Sequence, residues 1–373
     1  MTELVKILKE FESIASSPEK QLDKYLKQGK KIVACVPVYT PEEVIHAMGI
    51  IPFGAWGADT ELEQSKSYFP AFICSITQSI LELGMRGKYD GVSAIIIPSL
   101  CDSLKCLGEN WKYGVKSIPF IPMTYPQNRK NKPGAEFTKA GYERVISDLT
   151  KITGNGFSKS DLENSIQIYN EHNQVMREIS NLLVDYSSIS TKERSAIFKS
   201  AYFCEKEEHT KMVKELIELL KQNPKEISKK IKIVTSGIVF DNRNLLDILD
   251  ANNIQIVGDD IAHESRQYRV DTRTQGDPLV NLSEKFSDMD NCSVLFDPKK
   301  MRASFITDMV KNKKADGVLV ALTKFCDPEE FDYVIIKKEC DKQNIYCMQI
   351  EIDRQMVNYE QAKTLIETFK ENI

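Results

Sequence analysis

The chain has 373 residues, 42% of them hydrophobic, and a formal net charge of -4. That length leaves room for two domains with buried cores, and the composition excludes the disordered and fibrous classes. A slight acid excess with scattered Lys and Arg lacks the electrostatic footprint of a nucleic-acid binder. The first residues, "MTELVKILKEFESIASS", form a charged amphipathic segment without the apolar core of a signal peptide. No apolar run is long enough to span a bilayer, so a cytoplasmic protein with no membrane or nucleic-acid partner is expected.

Two amphipathic stretches, roughly residues 2 to 14 and 18 to 28, predict helices within an N-terminal segment 1–30. "KKIVACVPV" then reads as a strand, and Thr40, Pro41 and Glu43 read as a capping box opening a helix that Gly49 closes. Further strands are expected at "IIPFGAW", "VSAIIIP" and "IPFIPM", alternating with helices as in a parallel sheet, over 31–140. Residues 141–225 turn to long helical periodicity and predict a helical insert. A second alternating region, 226–373, carries strands at "IKIVTSG", "IQIVGDD", "ADGVLVAL" and "IYCMQIEID". The fold class is therefore α/β: two doubly wound parallel-sheet domains with a helical insert between them.

Nine cysteines in a reducing compartment call for an explanation other than disulfides. Cys35, Cys204, Cys292, Cys340 and Cys347 fall within expected strands, helices or their edges and read as packing residues. Cys101 follows the strand "VSAIIIP" and precedes Asp102, Cys326 follows "GVLVALTKF" and precedes Asp327, and Cys74 precedes Ser75 with Gln78 three residues on. Each therefore reads as standing one residue before a helix N-cap, where free N–H groups and the positive dipole end favour a thiolate. Ligands of open α/β sheets gather outside the carboxyl ends of the strands, so Cys101 and Cys326 are expected to face each other across the interdomain cleft. Three thiolates there would repel unless a positive centre, such as an iron-sulfur cluster or zinc, sat between them. No short finger, ribbon or ferredoxin spacing links the three positions. Cys106, inside the helix after Cys101, is the second choice to Cys101, because a helix interior lacks the thiolate-stabilising end.

Other signals are weaker. His46, His172, His209 and His263 are dispersed without ligand spacing and predict surface or polar-network roles. Trp56 and Trp111 read as aromatic packing, with lining of a cofactor or subunit interface as the alternative, and "RQYR", with Arg266 and Arg269 beside Asp259 and Asp260, reads either as a contact for a phosphate or a partner or as a solvated, salt-bridged loop. No phosphate-binding loop and no dinucleotide fingerprint is present, which removes direct ATP hydrolysis and dinucleotide binding.

The segments "GKKIVACVPVYTPEEVIHAMGIIPFGAWG", "YFPAFICSITQSILELG", "IIIPSLCDSLKCLGENWK", "DDIAHESRQYR" and "LTKFCDPEEFDY" span almost the whole chain. In that order they resemble the β subunits of the 2-hydroxyacyl-CoA dehydratases of amino-acid-fermenting anaerobes. Within that family the likeness points to the subunits serving (R)-2-hydroxyisocaproyl-CoA and (R)-phenyllactyl-CoA. The resemblance implies flavodoxin-like domains and one [4Fe-4S] cluster held by three cysteines, corresponding to Cys74, Cys101 and Cys326. It further implies a heterodimer with a homologous α subunit, which binds most of the 2-hydroxyacyl-CoA substrate, and a transient ATP-hydrolysing iron-sulfur activator. The implied reaction eliminates water to the 2-enoyl-CoA through a ketyl radical, with the cluster of this subunit as electron relay or reservoir and no acid or base nominated. The residues alone leave open a zinc-stabilised protein and a two-domain scaffold without redox work.

Overall fold

The computed structural model describes residues 2–373. All eight expected strands form, in two four-stranded sheets with parallel pairing throughout. β1 (Ile32–Cys35), β2 (Ile51–Gly54), β3 (Ala94–Pro98) and β4 (Phe120–Met123) lie in the order β2-β1-β3-β4. β5 (Ile231–Gly237), β6 (Ile254–Ile261), β7 (Gly317–Thr323) and β8 (Tyr346–Ile352) repeat that order as β6-β5-β7-β8. β1, β3 and β7 are buried along their whole length. That is why they read as unbroken apolar runs: helices cover both faces of a parallel sheet, so neither face needs polar residues.

Ahead of the first sheet run α1 (Glu3–Ser16) and α2 (Pro18–Lys27); α3 (Glu42–Ala47), α4 (Ser75–Met85) and α5 (Asp102–Gly114) are its crossovers. Between the sheets lie α6 (Lys132–Thr153), α7 (Lys159–Leu182), α8 (Thr191–Ser200) and α9 (Lys206–Lys221). Residues 140 and 141 are inside α6, whose start is set by Asn131: its side chain accepts from the Gly134 amide at 2.8 Å, and Pro133 follows in the first turn. In the second sheet α10 (Arg243–Ala251) joins β5 to β6, α11 (Pro278–Asp288) and α12 (Arg302–Lys313) lead to β7, and α13 (Asp327–Lys342) leads to β8; α14 (Glu360–Glu371) ends the fold. Among the described residues no helix is long and apolar enough to cross a membrane.

The capping box expected at Thr40 and Glu43 does not form. The helix starts at Glu42 with Pro41 as its cap, and the Thr40 hydroxyl donates instead to the Val36 carbonyl at 2.7 Å. Glu43 is drawn into a buried ion pair with Lys285 of α11, Nζ to Oε1 2.6 Å, where a tertiary partner replaces the local one. Gly49 does end the segment, with a φ of +67° that an L side chain resists.

One apolar core runs from the first sheet through the helices to α11 and Cys326, while two smaller cores cover the faces of the second sheet. Polar ties join the halves. Asn170 of α7 donates to the Thr272 carbonyl at 2.7 Å, Arg177 grips Asp271, and the buried Arg129 guanidinium donates to the carbonyls of Met289 and Phe296, each at 2.6 Å. His172, His209 and His263 are buried. His172 Nε2 meets His209 Nδ1 at 3.0 Å, and His209 Nε2 meets the Ile197 carbonyl at 3.1 Å. Burial pushes His209 and His263 down to about 3 and His172 well below its ordinary value.

Two predictions follow from this packing. Lys285→Met strands the Glu43 carboxylate and should cost about 3–5 kcal/mol in urea unfolding, most of it recovered in the E43Q/K285M double variant. The buried histidines stay neutral while the unfolded chain protonates below about pH 6.5, so the unfolded state binds more protons in acid. Stability should therefore fall as pH drops from about 6.5 towards 4, a slope that urea midpoints would show to be shallower in His209→Gln.

Candidate metal centre between the two sheets

In each sheet the strand order reverses at its centre, between β1 and β3 and between β5 and β7. Such switch points open a crevice at the carboxyl ends of the strands. Here the two crevices open into one cavity of about 620 Å³. Pro37 and Val38 follow β1, Leu100 and Cys101 follow β3, Ile238 follows β5, and Phe325 and Cys326 follow β7; all line it. Cys74, at the start of α4, completes the wall.

The three cysteines sit one position later relative to their helices than the sequence suggests. Cys74, Cys101 and Cys326 are themselves the N-cap residues of α4, α5 and α13, and Ser75, Asp102 and Asp327 are the first helical residues. The neighbouring polar side chains are engaged elsewhere. Ser75 Oγ accepts from the Arg354 amide at 3.2 Å, Gln78 donates to the Ile73 carbonyl at 2.9 Å, and Asp102 points to solvent and pairs with Lys105 at 3.1 Å. Each sulfur thus takes the place of the usual cap oxygen, although none closes a cap hydrogen bond. At Cys326 the approach is strained: Phe325 holds φ at +61°, a left-handed conformation that a bulky L residue rarely adopts, and this turns the chain from β7 into α13.

Thiolates were the expectation, and the protein's own groups oppose it. Burial pushes Cys74 up to about 12, with the nearby Cys101 adding to the shift and the amides of Ile76 and Thr77 and the Arg354 charge opposing it. Burial also raises Cys101 against the amides of Leu104 and Ser103, and raises Cys326 well above its ordinary value with Cys74 and Glu329 as further causes. Desolvation outweighs the helix ends in this apolar wall of Val38, Leu100, Leu104, Ile238, Val294 and Leu295. A cation among the sulfurs would reverse that balance.

The remaining cysteines lie elsewhere. Cys106 is exposed on α5 and outside the cavity. Cys35 is buried at the end of β1, Cys340 on α13 lies against Cys347 on β8, and Cys204 stands between α8 and α9. Cys292 belongs to neither helix nor strand; it lies in the irregular segment after α11, with its sulfur 3.4 Å from Arg266 Nη1. Trp111 is fully buried, its indole donating to the Ile118 carbonyl at 3.0 Å, and Trp56 packs on Tyr202 and His263.

The "RQYR" segment is not a solvated loop. The buried Asp260 receives the buried Arg266 at 3.1 Å and Arg302 at 2.7 Å and the partly exposed Arg269 at 2.8 Å, and Arg194 pairs with Asp259 and Glu264. Arg354 makes a second buried pair, with Asp241 at 2.7 Å, beside the start of α4. Neither Arg302 nor Arg354 carries a local signal in the sequence, because their partners are distant in the chain.

Among the described residues no group of three or more His, Cys, Asp or Glu side chains converges as the ligand shell of a single metal ion. A tetrahedral zinc needs its sulfurs about 2.3 Å from one point. The lining offers three cysteine sulfurs in a cavity of about 620 Å³, a donor type that holds iron-sulfur clusters as well as zinc.

A family model described as 2-hydroxyglutaryl-CoA dehydratase, D-component, matches residues 37–373. The chain is 47% identical to the (R)-phenyllactyl-CoA dehydratase beta subunit of Clostridium sporogenes, covering 99% of each. It is 39% identical to the lactoyl-CoA dehydratase subunit beta of Anaerotignum propionicum, covering 100% of both chains. It is 35% identical to the (R)-2-hydroxyglutaryl-CoA dehydratase subunit beta of Acidaminococcus fermentans, over 98% of this chain and 99% of that one. With the match running through both sheets and all three cavity cysteines, the chain belongs to the 2-hydroxyacyl-CoA dehydratase family, on its β-subunit branch.

Proposed function

We propose that this chain is the β subunit of an (R)-2-hydroxyacyl-CoA dehydratase and that Cys74, Cys101 and Cys326 hold one [4Fe-4S] cluster in the cavity between the two sheets. The observation that carries the reading is the convergence of three helix-capping cysteines, drawn from two domains, on a single cavity. The chemistry asks for such a group. Loss of a hydroxyl beside the thioester carbonyl must be matched by loss of a proton from the next carbon, which the thioester does not acidify. One added electron makes a ketyl that expels the hydroxyl and leaves a radical whose β-hydrogen is acidic; the electron is returned at the end. A low-potential cluster supplies or stores that electron when bound.

The chain's own residues do the rest of the work at this site. Aliphatic side chains flank the sulfurs, and three helix N-termini turn their amides towards the added negative charge of thiolate ligands. No acid or base is assigned here: a homologous α subunit is the proposed seat of the acyl-CoA, and an ATP-hydrolysing activator is the proposed electron source. The β-subunit names of the relatives support a heterodimer.

Protein purified without oxygen should carry about four irons and as many sulfides, with a broad band near about 400 nm. A colourless chain holding zinc or no metal would overturn the reading. Cys74→Ser, Cys101→Ser and Cys326→Ser should each lose most of the iron, whereas Cys106→Ser should keep it; the opposite outcome for 101 and 106 would exchange their roles. Coexpressed with a homologous α subunit, the chain should elute with it as a heterodimer in size-exclusion chromatography.

A further inference from the structure

Behind Cys326 lies a buried charge network that the cysteine site itself does not account for. Glu329, third residue of α13, is fully buried. Its Oε1 accepts from Ser293 Oγ at 2.7 Å and its Oε2 from Arg302 Nη2 at 2.8 Å. Arg302 is held in turn by Asp260 at 2.7 Å, Ser236 at 2.9 Å and Asp332 at 3.1 Å. One guanidinium therefore ties β5, β6 and α13 together. Ser293 belongs to an irregular segment that also lines the cysteine cavity, so the Glu329 carboxylate joins the helix capped by Cys326 to that segment. A buried carboxylate this well partnered is an expensive device for merely holding a helix, since apolar residues of similar size would serve at least as well.

Resting on the cluster reading above, we propose that Glu329, anchored by Arg302, is a positioning residue for the Cys326 end of the metal centre. It fixes α13 against the Ser293 wall and sets the negative charge that the centre experiences. Outer partners of metal ligands govern retention and electronics in this way, and cluster potential follows local charge and hydrogen bonding.

The test uses the intact chain with its cluster and two variants. Glu329→Gln keeps the shape and removes the charge; Ser293→Ala removes only the link to the wall. Iron release to a ferrous chelator should quicken by about tenfold in E329Q and several-fold in S293A. The midpoint potential of E329Q should rise, because a lost negative charge favours the reduced cluster. Loaded E329Q with unchanged potential overturns the proposal, even if iron leaves faster, because a purely structural role would do that. If E329Q does not fold, S293A decides on the same readout: losing the Ser293 donor leaves the Glu329 carboxylate less neutralised, so a lowered midpoint potential supports the proposal and a wild-type potential overturns it. Wild-type protein that takes up no iron is a different result, and sinks the cluster reading rather than this assignment.

Discussion

Two parallel sheets with the same strand order turn their switch points towards each other, and the cavity between those crevices is where the structure gathers its chemistry. The constraint is geometric. A parallel sheet sends its chain out at the carboxyl end of each strand, so residues just after β1, β3, β5 and β7 share one side of the molecule. Helices that start there point their free amides inward. Cysteine in the capping position then brings sulfur into a wall where aliphatic side chains lie beside it, and the thiol alone is held protonated by burial.

Keeping that geometry depends on charge placed out of water. Glu43 with Lys285, Asp241 with Arg354, and Asp260 with Arg302 bridge segments far apart in the chain, and Arg266, six residues on from Asp260, joins the last of them. Such pairs add little net stability over apolar packing, but a misaligned partner leaves a naked buried charge, which penalises alternative arrangements of the two sheets. Arg354, whose amide donates to Ser75 and whose guanidinium reaches Asp59 at 3.1 Å, ties the second sheet to the start of α4, while Glu329 and Arg302 hold the start of α13 against β5 and β6.

The central strands were legible because a strand buried on both faces must be apolar throughout, and "AIIIP" or "GVLVALT" admits few other readings, whereas the edge strand β8 was legible from its apolar–polar alternation. The cysteine positions were legible for a related reason: a thiol between an apolar run and Asp or Ser marks the exit of a strand. Local cap chemistry misled by one residue at all three, and wholly at Thr40 and Glu43. At Ser75 and Glu43 a tertiary partner, the Arg354 amide and Lys285, took the group that the local motif would have used, while Thr40, Gln78 and Asp102 found other partners nearby in the chain.

What the sequence by itself determined is therefore the kind of fold and the three sulfur-bearing helix starts, since both depend on periodicity and neighbours a few residues apart. That those starts face one cavity, that Cys106 points out to solvent, and that Arg266, Arg302 and Glu329 form a buried network were decided only in the tertiary structure. The reason is distance along the chain. An ion pair between β6 and α12, or a cavity between two sheets, is a property of how elements pack, and no local pattern encodes which charge will be taken out of water.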